Sequence, residues 1–167
     1  LGSAAGGAWA FVPAVLRARW QVNEIITTLM LNYVGIFFVN YFVYGPWKDP
    51  MGLNFPLTAE FPPSAILPAL GASRIHLGLA FALVLAAVFV AVFARSRWGY
   101  EVKVIGSSER AAHYAGMNIR RNIYLAMFFS GAVCGLAGMA EVSGIVGRLQ
   151  PGISPGYGFT AIIIAWL

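Results

Sequence analysis

The chain has 167 residues, 59% of them hydrophobic and only 10% charged, with a formal net charge of +5 and a mean hydropathy of +0.74. Soluble domains carry about a quarter charged residues, so this composition excludes an ordinary soluble enzyme and implies an all-α, polytopic membrane bundle. A single cysteine, Cys134, excludes a disulfide or zinc framework by counting.

The first apolar run, "LGSAAGGAWAFVPAVL" at residues 1–16, has no basic residues ahead of it and no small-residue cleavage site behind it. It reads as a membrane segment and not as a signal peptide. Arg17 and Arg19 fall in a short link before Asn23, which is placed to cap the next segment, residues 24–44. Its uncharged stretch, residues 25–44, has the length of about 20 apolar residues that a bilayer requires. Thr28, Asn32 and Gly35 share one face of it. Neutral hydrogen-bonding groups at that depth suit a path for a hydroxyl-rich solute; they equally suit inter-helix contacts worth about 1 kcal/mol or less. Both readings stand.

Residues 45–75 are rich in proline and glycine, which break the backbone into turns and extended pieces. The segment is long for a structureless connector, and Trp47, Phe55 and Phe61 suit it to lie on a membrane surface or a partner. A third membrane segment comes next, at residues 76–94.

The polar segment 95–121 contains "GSSERAAHYAGMN". Ser107 or Ser108 is placed to cap a helix, Glu109 suits its first turn, and Gly116 suits the left-handed position after its end. About two turns lie between, too few to be stable alone in water. Ala111, Tyr114 and Ala115 share a face, while Glu109, Arg110 and His113 offer polar contacts that fix register. Such a helix suits a groove in another protein; the plainer reading is a solvated loop whose charges set topology. Asn118 is placed to cap the next membrane helix.

The membrane segment at 122–147 carries Ala126, Ser130, Cys134 and Gly138 at four-residue spacing, with Gly131 and Gly135 alongside, a pattern for close helix packing. Glu141 is an acid well inside an apolar run, placed either to line a path or to pair with Arg148. The "PGISPGYGF" turn then leads into residues 159–167, too short to span a membrane at about 1.5 Å per residue. Backbone N–H groups freed at this turn, between Gln150 and Tyr157, are placed to meet a substrate, or form only a tight outer turn. Neither end reads as a natural terminus, so the whole is expected to be one membrane domain, residues 1–167, cut from a longer protein.

Basic residues favour the cytoplasmic side of membrane segments. They gather at 17–23 and 95–122, which are therefore expected inside, with 45–74 and 148–158 outside. The positive charge is then topology and no nucleic-acid footprint.

"YEVKVIGSSERAAHYAGMNIRRN" resembles the cytoplasmic coupling segment of ABC importer permeases of the ribose and branched-chain amino acid permease class. "VNEIITTLMLNYV", residues 22–34, resembles a signature of the subgroup serving nucleosides and simple sugars, and "GRLQPGISPGYGFTAIIIA", residues 147–165, its lead-in to a further membrane segment. The resemblance runs from about Trp20 to Leu167; residues 1–19 match only in character. It implies that Gly106, Ser107, Ser108, Glu109, Arg110, Ala111, Ala112, His113, Tyr114, Ala115 and Gly116 take up motion from a separate ABC ATPase subunit, which holds the ATP and magnesium. It implies further a second permease subunit, an extracytoplasmic substrate-binding protein, and a bacterial plasma membrane as the site of work. The translocation path for a nucleoside or simple sugar would use Thr28, Asn32, Glu141, Gln150 and Tyr157.

The chain's lysines, Lys48 and Lys103, follow no Gly-rich phosphate loop, so no cofactor of its own is expected and hydrolysis falls to a partner. One aspartate, Asp49, cannot form an aspartyl dyad, Ser143 has no histidine nearby, and His76 and His113 fall on opposite membrane faces, so catalytic and metal readings rank low. The competing transport reading is an ion-coupled secondary transporter, with Glu141 as its candidate carboxylate.

Overall fold

The computed structural model describes residues 1–52, 55–68, 77–154 and 156–167, and of Tyr157, Ile162, Ala165 and Trp166 the backbone alone. Arg74, His76 and the expected start of the third membrane segment lie outside the described residues. The regular elements among them are helices: α1 (Gly2–Trp20), α2 (Glu24–Tyr44), α3 (Gly78–Arg95), α4 (Arg97–Ser107), α5 (Glu109–Tyr114), α6 (Ile119–Glu141) and α7 (Tyr157–Trp166), with a short 3-10 turn at Pro63–Ala65. The only β pairing among them is an isolated bridge between Lys48 and Thr58.

Three of these are long and apolar enough to cross a membrane: α2, α3, and α6 with its extension to Val146. Their most apolar windows are unburied within the chain, and Phe37 and Val90 are each 70% exposed. In water such a surface would be an aggregation patch. In hydrocarbon it matches its surroundings, while every helical backbone group is satisfied within its own helix.

The helix ends follow from local chemistry. α1 continues to Trp20, so Arg17 and Arg19 occupy its last turn and not a link, where positive charge offsets the carbonyl end of the helix dipole. Gln21 takes a left-handed conformation, φ 52°, and the N–H groups of Gln21 and Val22 donate to Arg17 O and Leu16 O. Asn23 then caps α2, its Oδ1 accepting from Ile25 N at 2.9 Å, and Arg17 meets Glu24 across the corner at 3.2 Å.

The polar segment is not a loop with one short helix in it. α4 precedes α5, capped by Ser96, whose Oγ accepts from Gly99 N at 3.0 Å. Trp98, Val102 and Ile105 form its inner face, half-buried, while Arg97, Lys103 and Ser107 are exposed. Gly99 is what allows the reversal from α3: a Cβ there would lie 2.6 Å from Phe93 Cα. Asn122 ties α4 to α6, its Nδ2 donating to Glu101 Oε2 at 2.7 Å from a site only 4% exposed.

The broadest helix–helix contact is between α1 and α6. A Cβ on Gly6 would collide with Gly131 O and come within 2.8 Å of Gly135 Cα; one on Gly135 would collide with Gly2 O. Gly7 accepts the ring of Phe128, which would stand 2.7 Å from an added Cβ. The packing row is thus Gly131 and Gly135. Of the expected row of Ala126, Ser130, Cys134 and Gly138, Gly138 has open space at its Cβ position and Cys134 is exposed. Four-residue spacing marked the helix correctly but not which of two adjacent rows faces α1.

At the other end, α6 runs through a wider π-helical turn, Val142–Val146, that closes at Gly147 with φ 70°. Carbonyls here have lost their in-helix partners, and the connector from α2 supplies donors. Thr58 N reaches Leu149 O at 3.1 Å, Phe61 N reaches Gly147 O at 2.9 Å, and Leu67 N reaches Ser143 O at 3.0 Å. Leu149 N donates in turn to Thr58 Oγ1 at 2.9 Å. The segments expected on the outer side therefore lie against each other.

Two outcomes are expected from thermal melts of the detergent-solubilised protein. Gly131→Leu forces α1 off α6 and lowers stability by about 1–3 kcal/mol, as overpacking does, whereas Gly138→Ala leaves the melt unchanged. Thr58→Val orphans Leu149 N and costs about 1–3 kcal/mol, seen also as faster amide exchange at residues 147–149; Thr58→Ser keeps the bond and the protection.

Candidate functional site

Two concave regions collect some of the residues that the sequence singled out, Glu109, His113 and Gly116 at one and Thr28 and Asn32 at the other. The first surrounds α5. Ser108 is the cap, its Oγ accepting from Ala111 N at 3.3 Å. Ser107 instead ends α4, its hydroxyl donating to Lys103 O at 2.8 Å. Glu109 sits in the first turn, and Gly116 comes after the helix with φ 71°. Asn118 caps α6, its Oδ1 accepting from Arg121 N at 3.1 Å.

Within residues 106–116 only Ala112 is buried, at 0% exposure, against 92% for Tyr114. Ala112 is the anchor. Ala111, Tyr114 and Ala115, the face expected to dock, stay exposed, as do Gly106, Arg110 and His113. Glu109 and His113 border an open cleft of about 1010 Å³, whose far wall is the basic end of α1 from Arg17 to Gln21 and whose floor runs from Gly116 to Arg120. The cleft is mainly polar, with Ala18, Trp20, Met117, Ile119 and Ile123 as its apolar members. It joins the two basic chain regions that were expected on the same side of the membrane.

The second region is a groove of about 510 Å³ between α1, α2 and α6. Thr28 and Asn32 line it together, as the face pattern on α2 predicted, with Leu31 beside them. The remaining wall comes from Trp9, Pro13, Ser130 and Cys134 among others. The hydroxyl of Thr28 donates to Glu24 O at 2.8 Å, so its free capacity toward the groove is as an acceptor. No charged side chain is among the lining residues.

The other expected path residues are elsewhere. Glu141 is half-buried at the end of α6 and is not part of the groove wall. Its expected pairing with Arg148 does not form: Arg148 instead meets Glu60 of the outer connector at 3.8 Å, because that connector is pinned over residues 143–149. Gln150 comes directly after the pinned Leu149 and is half-buried. The backbone of Tyr157 starts α7, and its side chain lies outside the described part of the chain.

Trp9, Ser130 and Cys134 were not expected at a path. Trp9 sits in a run that showed only small-residue character, and the other two fitted a packing pattern. The signal available was weak: a lone tryptophan amid glycine and alanine, at the level where α2 carries its polar face.

A family model described as the permease component of the branched-chain amino acid transport system matches residues 1–167. The chain is 41% identical to the glucose ABC transporter permease protein TsgB13 of Haloferax volcanii, over 98% of this chain and 46% of that protein. It is 34% identical to the guanosine ABC transporter permease protein NupP of Bacillus subtilis, over 99% of this chain and 48% of that protein. With the nucleoside ABC transporter permease protein NupB of Lactococcus lactis it shares 27% identity, over 83% of this chain and 40% of that protein. The chain thus spans about half the length or less of these curated relatives. No solved structure matches it. With every residue inside the family match, the chain belongs to the family of branched-chain amino acid transport system permease components.

Proposed function

We propose that this chain is part of the membrane-spanning subunit of an ATP-binding cassette importer, carrying a nucleoside or simple sugar inward. The observation that carries the reading is α5. It is a helix of six residues, capped by Ser108, stopped at Gly116, anchored through Ala112 alone and otherwise open to contact. A helix this short has no independent stability, and its exposed apolar face has no partner within the described chain. A groove on a separate ATPase subunit would supply one, and motion of that subunit would pass through α4 and α6 as rigid bodies.

In this reading residues 106–116 and the end of α1 lie on the cytoplasmic side. The connector, pinned through Thr58, Phe61 and Leu67 to residues 143–149, lies outside, where a substrate-binding protein delivers solute. A second permease subunit completes the path, and ATP and magnesium belong to the ATPase. The relatives' names point to glucose, guanosine and other nucleosides, and a bacterial or archaeal-type plasma membrane is the setting we infer. The uncharged groove at Thr28 and Asn32 favours such neutral solutes over an ion-coupled design, for which Glu141 is poorly placed.

Charge reversal at both Glu109 and Arg110 is expected to reduce ATP-driven uptake at least tenfold in vesicles while the protein still inserts in normal amount; undiminished uptake would remove α5 as the coupling element. Sidedness has its own check. In a Cys134→Ala background, His113→Cys should resist a membrane-impermeant thiol reagent in intact cells and react in inverted vesicles. Labelling in intact cells would reverse the proposed orientation.

A further inference from the structure

An imported solute must travel from the outer connector to a groove in the N-terminal half of α2, at Thr28, Leu31 and Asn32. Four aromatic rings connect the two. Trp47, at the start of the connector, lies against Phe42 with centroids 4.4 Å apart and planes at 31°. Phe42 meets Phe38 edge-on at 4.8 Å, and Phe38 meets Trp9 at 6.5 Å. Trp9 is itself a wall of the groove that holds Thr28 and Asn32.

Resting on the importer reading, we propose that Trp47, Phe42, Phe38 and Trp9 form a stacking track that passes a neutral, flat-faced ring solute from the outer connector to the groove at Thr28 and Asn32. Trp47, Phe38 and Trp9 each offer an electron-rich face to the C–H face of a sugar or the π face of a base, and the half-buried Phe42 holds the first two in line. Trp47, Phe38 and Trp9 are 53%, 55% and 43% exposed, so their surfaces are not consumed by mutual contact. A series of weak, similar sites suits transport, which requires that a solute enter readily and leave again. Phe38 and Phe42 stand one helical turn apart on α2, and Trp47 is held over Phe42 by its own N–H, which donates to Phe42 O at 2.9 Å.

The groove at the end of the track sets the solute class. Its volume of about 510 Å³ is within the usual range for small-molecule sites, about 300–1,000 Å³. Asn32 supplies both donor and acceptor, and Thr28 an acceptor, for the polar edge of a ring. With no charged group in the wall, a zwitterionic amino acid would shed water without gaining a counter-ion for either end, which is costly. The geometry therefore favours a sugar or nucleoside over the branched-chain amino acids in the family's description.

The test uses the full-length permease, assembled with its ATPase and binding protein in liposomes, with glucose, guanosine and leucine as probes. Wild type should take up glucose or guanosine with ATP, and leucine at background. Trp9→Leu and Phe38→Leu should each raise KM or lower the uptake rate about tenfold, Trp9→Phe should retain most of it, and Phe37→Leu, on an exposed neighbouring position, should match wild type. Amounts of assembled transporter are measured for every variant. Wild-type uptake that Trp9→Leu and Phe38→Leu leave unchanged overturns the track alone, as does equal loss in Trp9→Leu, Trp9→Phe and Phe37→Leu, which marks a packing or membrane-anchoring role. ATP-driven leucine uptake overturns the assignment of solute class. A wild-type assembly that moves none of the three probes with ATP overturns the importer reading, and the track with it.

Discussion

The contact between α1 and α6 is where the rest of this structure is anchored. Lipid tails are as apolar as leucine, so helices in a membrane gain little by hiding hydrophobic side chains from their surroundings, and association rests on close packing. Glycines at 2, 6, 131 and 135 let two backbones approach until a single methyl group on Gly6 or Gly135 would strike the opposing chain. Ala14 and Ala18, buried further along α1, continue the same economy of side-chain volume. Everything described as a site hangs from that pair: the groove lies beside it, the cleft below α5 sits at one end, and the pinned connector closes the other.

The two ends of the pair are held by different chemistry. At the α5 end, side chains do the work. Ser96, Ser108 and Asn118 cap successive helices, Asn23 caps α2, and Asn122 binds Glu101. Each helix is thereby given a definite start, and a chain of short rigid pieces results, suited to pass on a push. At the opposite end, backbone does the work. The π-helical turn leaves carbonyls without helical partners, and the N–H groups of Thr58, Phe61 and Leu67 satisfy them. Hydrogen bonds of this kind hold a connector without long side chains. The ion pair between Arg148 and Glu60, with Glu60 79% exposed, adds little to them.

The groove and the aromatic run above it give the α1–α2 side a chemical character distinct from the α3–α6 side. Between α3 and α6 the walls are mostly aliphatic and phenyl groups, Leu85, Phe89 and Leu136 among them, with Ser3 and Trp98 at their edge, a surface suited to lipid or to another apolar helix. In the groove between α1, α2 and α6 an amide, two hydroxyls and an indole line one space. A neutral solute with a polar edge has more partners on the second side. That asymmetry, more than any single residue, is what supports the proposal of a path on the α1–α2 side.

The sequence by itself determined what depends on neighbours in the chain. Apolar run length set the membrane helices, the caps at Asn23, Ser108 and Asn118 and the stop at Gly116 were legible as local hydrogen-bonding and backbone requirements, and Thr28 and Asn32 were correctly placed on one face by helical spacing. The charges of 95–121 concealed α4, because its apolar face of Trp98, Val102 and Ile105 is narrow and is given meaning only by α6 beneath it. Tertiary structure alone decided which row of small residues on α6 meets α1, that Arg148 turns to Glu60 and not to Glu141, and that Trp9 stands across from Asn32. Each of these is a choice between candidates that are equivalent along the chain. They differ only in what a distant segment brings against them.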